Sequence, residues 1–178
     1  GLLDPAVAEA ALDERTALLA VMLVNNEIGV IQPVEALAKI AHEAGALLVC
    51  DAVQGAGRAA MPASADMIAL SAHKIYGPKG IGALWLRGGL DIPPLIHGGG
   101  QEGGLRSGTL SPALCAGFGA AARLMTEQRE ADAAHVAALH ARARALFVGW
   151  VLNGDAPARY PGNLNLRRDG LDGARLLS

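Results

Sequence analysis

The sequence predicts an α/β fold of three layers, with helices on both faces of a mainly parallel sheet. Two observations carry the expectation. Residues 18–24, 47–50 and 67–70 are unbroken apolar runs of strand length, as in strands covered on both faces. A helical pattern separates the first run from the second, and strand, helix, strand in succession is the signature of parallel pairing. A third observation bears on function. Each run gives way to polar residues or glycine, and in parallel α/β sheets ligands sit where strands end.

At 178 residues the chain has room for one domain, or for one and part of another. A hydrophobic fraction of 52% supplies a core, and a net charge of −2 leaves no electrostatic footprint for nucleic acid or an anionic membrane. Aromatic residues, at 3%, are too few for base-stacking platforms. Cys50 and Cys115 form no CxxC pair, which argues against a disulfide framework and against a metal site of zinc type. Cys50, inside an apolar run, reads as inert filler. No apolar run reaches spanning length and no secretory leader opens the chain. A soluble, cytoplasmic setting is expected, with no nucleic-acid or membrane partner.

Residues 3–14 mix alanine, leucine and acids, with weak helical character and no obvious cap. The first strand, 18–24, ends in Asn25-Asn26-Glu27-Ile28-Gly29, which is either a ligand loop or a plain Asn/Gly turn. Pro33 suits the first position of a helix. Val34, Leu37, Ala38, Ile40 and Ala41 give that helix its spacing, and Gly45 stops it. The second strand, 47–50, runs into Asp51-Ala52-Val53-Gln54-Gly55. A carboxylate at the end of a buried strand is costly unless a cation or a donor meets it. A protonated pyridine nitrogen would do so, through a charge-assisted hydrogen bond worth roughly 1.5–3 kcal/mol. The alternative is that Asp51 caps the turn that follows. Gln54 could share the ligand or end that turn.

Residues 66–71 form the third strand, which ends in Ser71-Ala72-His73-Lys74-Ile75-Tyr76-Gly77-Pro78-Lys79-Gly80. A hydroxyl, an imidazole and an amine thus meet at the ligand edge. Of the three lysines, Lys39 lies in the helical pattern and Lys79 between turn residues. Lys74 directly follows a buried strand, where desolvation favours the neutral amine that a Schiff base needs. A surface lysine at a strand end is the alternative.

Residues 81–86 read as a fourth strand. Gly98, Gly100 and Gly103 match GxGxxG, but no clear strand precedes them directly and no acid lies about twenty residues on, so dinucleotide binding is rejected. Their loop could still line an anion site with backbone N–H groups. Residues 111–148 read as one long helix, with Ser111 as cap and Pro112 in the first turn. A strand near 164–166 and a helix over 171–177 look like the opening of a second domain.

Together these segments resemble the cysteine desulfurases of iron–sulfur cluster assembly. Those are fold-type I pyridoxal phosphate enzymes of the class V aminotransferase superfamily. The resemblance rests on Val24-Asn25-Asn26-Glu27-Ile28-Gly29, on Asp51-Ala52-Val53-Gln54 and on the segment from Ser71 to Gly80. It also rests on His97-Gly98-Gly99-Gly100-Gln101-Glu102 through Arg106-Ser107-Gly108-Thr109. The segments stand in order, at compatible spacing, over nearly the whole chain.

The resemblance implies a role for each matching residue. Lys74 would hold pyridoxal 5′-phosphate as a Schiff base and later move protons at the substrate's α-carbon. Asp51 would pair with the pyridine nitrogen, and Gln54 with the ring's phenolic oxygen. Ser71 and His73 would bind the phosphate. Asn26 would position the substrate carboxylate and the ring edge, and Thr109 would reach the phosphate of the partner subunit in a homodimer. L-cysteine would become L-alanine, with its sulfur passed on as a persulfide to an iron–sulfur scaffold or another acceptor protein. Residues 1–125 would belong to the large, cofactor-binding domain. Residues 126–178 would form the linking helix and the start of a smaller α/β domain.

Neither Cys50 nor Cys115 stands where the family carries its nucleophilic cysteine. The family pattern also extends to either side of these residues. The chain is therefore expected to be an internal fragment, inactive alone. A selenocysteine lyase or another class V enzyme, and a non-catalytic assembly module, are the competing readings.

Overall fold

The computed structural model describes residues 1–176, whose strands form two sheets. The larger sheet has the order β1 (Leu18–Met22), β2 (Leu47–Asp51), β3 (Met67–Ser71), β4 (Gly82–Leu86). The β1–β2 and β2–β3 pairs are parallel and the β3–β4 pair is antiparallel, so the fold is α/β with a mainly parallel sheet, as the sequence predicts. Register sets Met22 beside Asp51 and Asp51 beside Ala69. The carboxyl ends of the three parallel strands therefore line up at one edge.

Helix α2 (Val34–Glu43) makes the crossover from β1 to β2. Pro33 is its N-cap rather than its first helical residue, with ψ at 62°. Leu37, Ala38 and Ala41 are fully buried, in one cluster with Leu48 and Cys50 of β2. Gly45 ends the helix with φ at +76°, and Ala46 N donates to the Ala41 carbonyl at 2.8 Å to close the turn. Helix α1 (Pro5–Ala11) packs on α2 and does have a cap: Asp4 Oδ1 accepts from Ala6 N at 2.9 Å. That cap lies in the Asp-Pro pair, where the sequence reading found none. The opposite face of the sheet is more open among the described residues. Leu47 and Val49 are half-buried there, and Leu18 and Leu84 are 47% and 52% exposed.

Helix α3 (Pro112–Leu146) starts as the sequence predicts, with Ser111 Oγ accepting from Leu114 N and Pro112 in the first turn. Its Ala121 and Met125 pack on Ile75, so α3 braces the short 3₁₀ turn Ala72–Ile75. The smaller sheet pairs β5 (Val151–Leu152) with β6 (Leu166–Arg167), antiparallel. This last strand begins at Leu166, later than the sequence suggests, and the carbonyl of the preceding Asn165 accepts from Asn153 N at 2.9 Å. Helix α4 (Gly173–Leu176) falls within the stretch read as helical over 171–177, and residue 177 lies outside the described residues.

Candidate active site

The sequence-derived residues converge on the carboxyl edge of the parallel strands. Asn26 follows β1, Asp51 ends β2, and Gln54 lies in the turn beyond it. Ser71 ends β3, and His73 and Lys74 lie in the 3₁₀ turn Ala72–Ile75. The turn closes tightly, with Gly77 N donating to the Ala72 carbonyl at 2.9 Å. Tyr76 ends it in the left-handed region, φ +66°, a conformation that costs a non-glycine residue about 1–3 kcal/mol and clusters at functional sites.

Asp51 realises part of the capping alternative, since its Oδ1 accepts from Val53 N at 2.9 Å. Its Oδ2 and the Nζ of Lys74 accept or donate no hydrogen bond among the described residues, and both side chains are half-buried. Ser71 Oγ lies 2.8 Å from His73 Nδ1, which makes the two one unit. Asn25 forms the plain turn, its Oδ1 accepting from Glu27 N at 2.9 Å and Ile28 N at 3.0 Å. Asn26 is exposed beside it, with its side chain uncommitted among the described residues. A cavity of about 530 Å³ lies beside this edge, lined by Asn26, Gln54, Arg58, His140 and Tyr160 among others, while Asp51, Ser71, His73 and Lys74 are not among its lining residues. A larger one, of about 750 Å³, runs along β4 and touches none of the sequence-derived site residues.

The glycine-rich segment does not reach this edge in the same way. Gly100 N donates to Ser107 Oγ at 3.2 Å and Gly108 N to Gln101 Oε1 at 3.0 Å. Those two N–H groups are thus taken up by the segment's own side chains. Thr109 is exposed just before α3 and makes no hydrogen bond among the described residues. Cys50 is fully buried, and burial, with the charge of Asp51 next to it, pushes its thiol up to about 11. It is inert, as its place in an apolar run suggests.

Sequence reasoning missed the clasp around the cavity. Arg58 NH2 donates to the Lys74 carbonyl at 2.7 Å, and the guanidinium lies 5.7 Å from the Tyr160 ring centroid. Asn163 Nδ2 donates to the Asn26 carbonyl and Asn165 Nδ2 to the Glu27 carbonyl, each at 3.0 Å. Arg159 NH2 reaches the Ile28 carbonyl at 2.6 Å. The spacing of Asn163 and Asn165, with one residue between, was the available signal: alternate residues share a face.

Gly29 is where this clasp is tightest. Its φ is +71°, and an added Cβ would stand 2.7 Å from Asn163 Cβ. Gly29→Ala is expected to cost about 1–3 kcal/mol and to loosen residues 159–165 from the loop. Urea unfolding gives the first effect. Faster exchange of Tyr160 N–H, which donates to the Gly29 carbonyl at 2.9 Å, gives the second.

Comparison with known proteins follows the same lines. The aminotransferase class-V family model matches residues 1–148. The cysteine desulfurase IscS of Rickettsia rickettsii is 42% identical over 190 residues, covering 99% of this chain and 45% of the relative. A probable mitochondrial cysteine desulfurase of Schizosaccharomyces pombe is 43% identical over 188 residues, covering 99% of this chain and 37% of the relative. Among solved structures, a NifS-like protein superposes with a TM-score of 0.89 at 34% identity, over 98% of this chain and 50% of the other. DndA from Streptomyces lividans gives 0.87 at 34% identity, over 99% and 52%. The chain thus spans about half the length of the relatives it matches. With a family model over most of its residues and the lysine, aspartate and Ser–His pair on one sheet edge, the chain belongs to the class-V aminotransferase family.

Proposed function

We propose that this chain carries the catalytic lysine and the cofactor face of a pyridoxal 5′-phosphate-dependent cysteine desulfurase. L-cysteine is converted to L-alanine, and its sulfur passes to an enzyme thiol as a persulfide, bound for an acceptor protein in iron–sulfur cluster assembly. The observation that carries this reading is the convergence of Lys74, Asp51, Ser71 and His73 on one edge, with Lys74 Nζ and Asp51 Oδ2 uncommitted among the described residues. The similarity to proteins named cysteine desulfurase supports the choice of substrate.

The groups present fit pyridoxal phosphate. When bound, the cofactor supplies an electron sink for charge developing at the substrate's α-carbon. Asp51 Oδ2 would hold the proton on the ring nitrogen. Ser71 and His73, already paired, would hold the phosphate. Gln54 Nε2 would donate to the phenolic oxygen, and Asn26 would orient the substrate carboxylate. Lys74 would hold the group through its aldehyde carbon, and its amine would carry a proton at the substrate's α-carbon. Cys50 is buried too deeply to accept sulfur, and Cys115 lines the separate cavity along β4, so the reading assigns the accepting thiol to neither. It also takes the active form to be a cytoplasmic homodimer, with Thr109 serving the partner's phosphate. Residues 1–125 then belong to the large domain and 126–178 to the link and the small one.

Incubation with pyridoxal phosphate, borohydride reduction and peptide mapping tests the reading. A phosphopyridoxyl group on Lys74, absent from Lys74→Ala, is the expected result. Equal labelling of Lys39, Lys74 and Lys79 would show non-specific amine chemistry and defeat it.

A further inference from the structure

The resemblance assigns nothing to Arg58, yet its guanidinium links the Lys74 turn, Gln54 and Tyr160. NH2 donates to the Lys74 carbonyl at 2.7 Å. NH1 reaches both the Gln54 carbonyl and Gln54 Oε1, each at 3.3 Å. Its face lies 5.7 Å from the Tyr160 ring centroid, and Tyr160 N is bonded in turn to the Gly29 carbonyl. We propose that Arg58 is a positioning residue that fixes the donor end of the Gln54 amide and the Lys74 turn together. The proposal rests on the cofactor reading above.

Two physical points support it. The turn Ala72–Ile75 ends at left-handed Tyr76, so no following helical N–H caps the Lys74 carbonyl, and Arg58 supplies the donor. An amide is both donor and acceptor, and a phenolic oxygen carrying negative charge needs the donor. With Oε1 accepting from Arg58, Gln54 keeps Nε2 for the cavity that both residues line. Only a planar fork spans these acceptors and still stacks on a ring. A lysine offers the charge on a flexible stem without that geometry. Tyr160, from the segment that also holds the Asn26 loop, closes the other side of the guanidinium.

The test compares the 178-residue chain with Arg58→Lys and Arg58→Met, with two readouts. Without cofactor, NMR follows the Lys74 carbonyl carbon and the Gln54 Nε2 protons. Both are expected to shift in each variant, because lysine restores charge but not the bridge. With pyridoxal phosphate, the rate of borohydride-trapped labelling at Lys74 is expected to fall about tenfold in Arg58→Met, the loss of one charge-assisted hydrogen bond. Arg58→Lys is expected to recover less than half of that loss, while the urea midpoints of wild type and Arg58→Lys coincide. Unchanged resonances, or labelling fully rescued by lysine, would overturn the proposal. If Arg58→Met does not fold, Arg58→Lys decides by the same readouts. No adduct on Lys74 in the wild type would instead defeat the cofactor reading, and the resonances would still decide whether Arg58 bridges Gln54 and Lys74.

Discussion

Asp66→Ala is expected to remove about 1–3 kcal/mol of stability, the cost of leaving a buried amide without its acceptor. Asp66 is fully buried just before β3, at the edge opposite the candidate site. Its Oδ2 accepts from Leu48 N at 2.7 Å and lies 2.8 Å from His42 Nε2, while Oδ1 accepts from Arg87 Nε at 2.7 Å. One carboxylate thereby joins α2, β2, β3 and the end of β4. Removing it leaves a buried amide unsatisfied and frees Arg87. With domain stabilities of about 5–15 kcal/mol, that is a large share of the whole. Burial pushes the Asp66 carboxyl up, but the Leu48 amide, His42 and Arg87 outweigh it and hold the group below its ordinary value. Its contribution is therefore complete above the unfolded aspartate value of about 3.9, and is lost as pH falls through the lower folded one. Urea unfolding of both proteins at neutral pH and below pH 4 checks both parts. Equal midpoints at neutral pH would refute the first, and a gap that does not narrow in acid would refute the second.

The sheet and its ligand edge were legible because their signals are local. Apolar runs mark the strands, and the polar residue that ends each run marks the edge. Lys74 and Asp51 stood out for that reason, before any family was considered. The roles of Ser71, His73, Gln54, Asn26 and Thr109 came only with the resemblance. Arg58 was invisible because its partner Lys74 lies 16 residues away, and Asn163 because its partner Asn26 lies 137 residues away. No periodicity encodes such a pairing. Asp66 was taken as a strand's first residue, since nothing in its neighbourhood announces His42 or Arg87. At Asp51 the turn and the ligand were weighed as alternatives, yet a carboxylate has two oxygens and only Oδ1 is committed to the turn. At Asn25 and Asn26 the same two readings fall to adjacent residues: both line the cavity, but the side chain of Asn25 builds the turn and that of Asn26 makes no hydrogen bond among the described residues.

That division of labour makes Asp51→Asn the sharpest substitution at the site. Asparagine keeps Oδ1, so the bond from Val53 N survives and the turn after β2 is expected to hold. The unfolding free energy from urea titration without cofactor should change by no more than about 0.5 kcal/mol, as for a substitution that spares packing. What asparagine cannot do is present a negative oxygen to a protonated ring nitrogen. A charge-assisted bond of about 1.5–3 kcal/mol is then lost, and pyridoxal phosphate is expected to bind about 10- to 100-fold more weakly. Titration of the cofactor's absorbance measures that ratio directly, and Asp51→Glu tests whether charge alone suffices or the oxygen must stand where β2 ends. An unchanged affinity in Asp51→Asn would mean that the carboxylate serves the turn and nothing else. A loss of affinity together with an unchanged urea midpoint separates the ligand's oxygen from the turn's, and assigns Oδ2 to the ring.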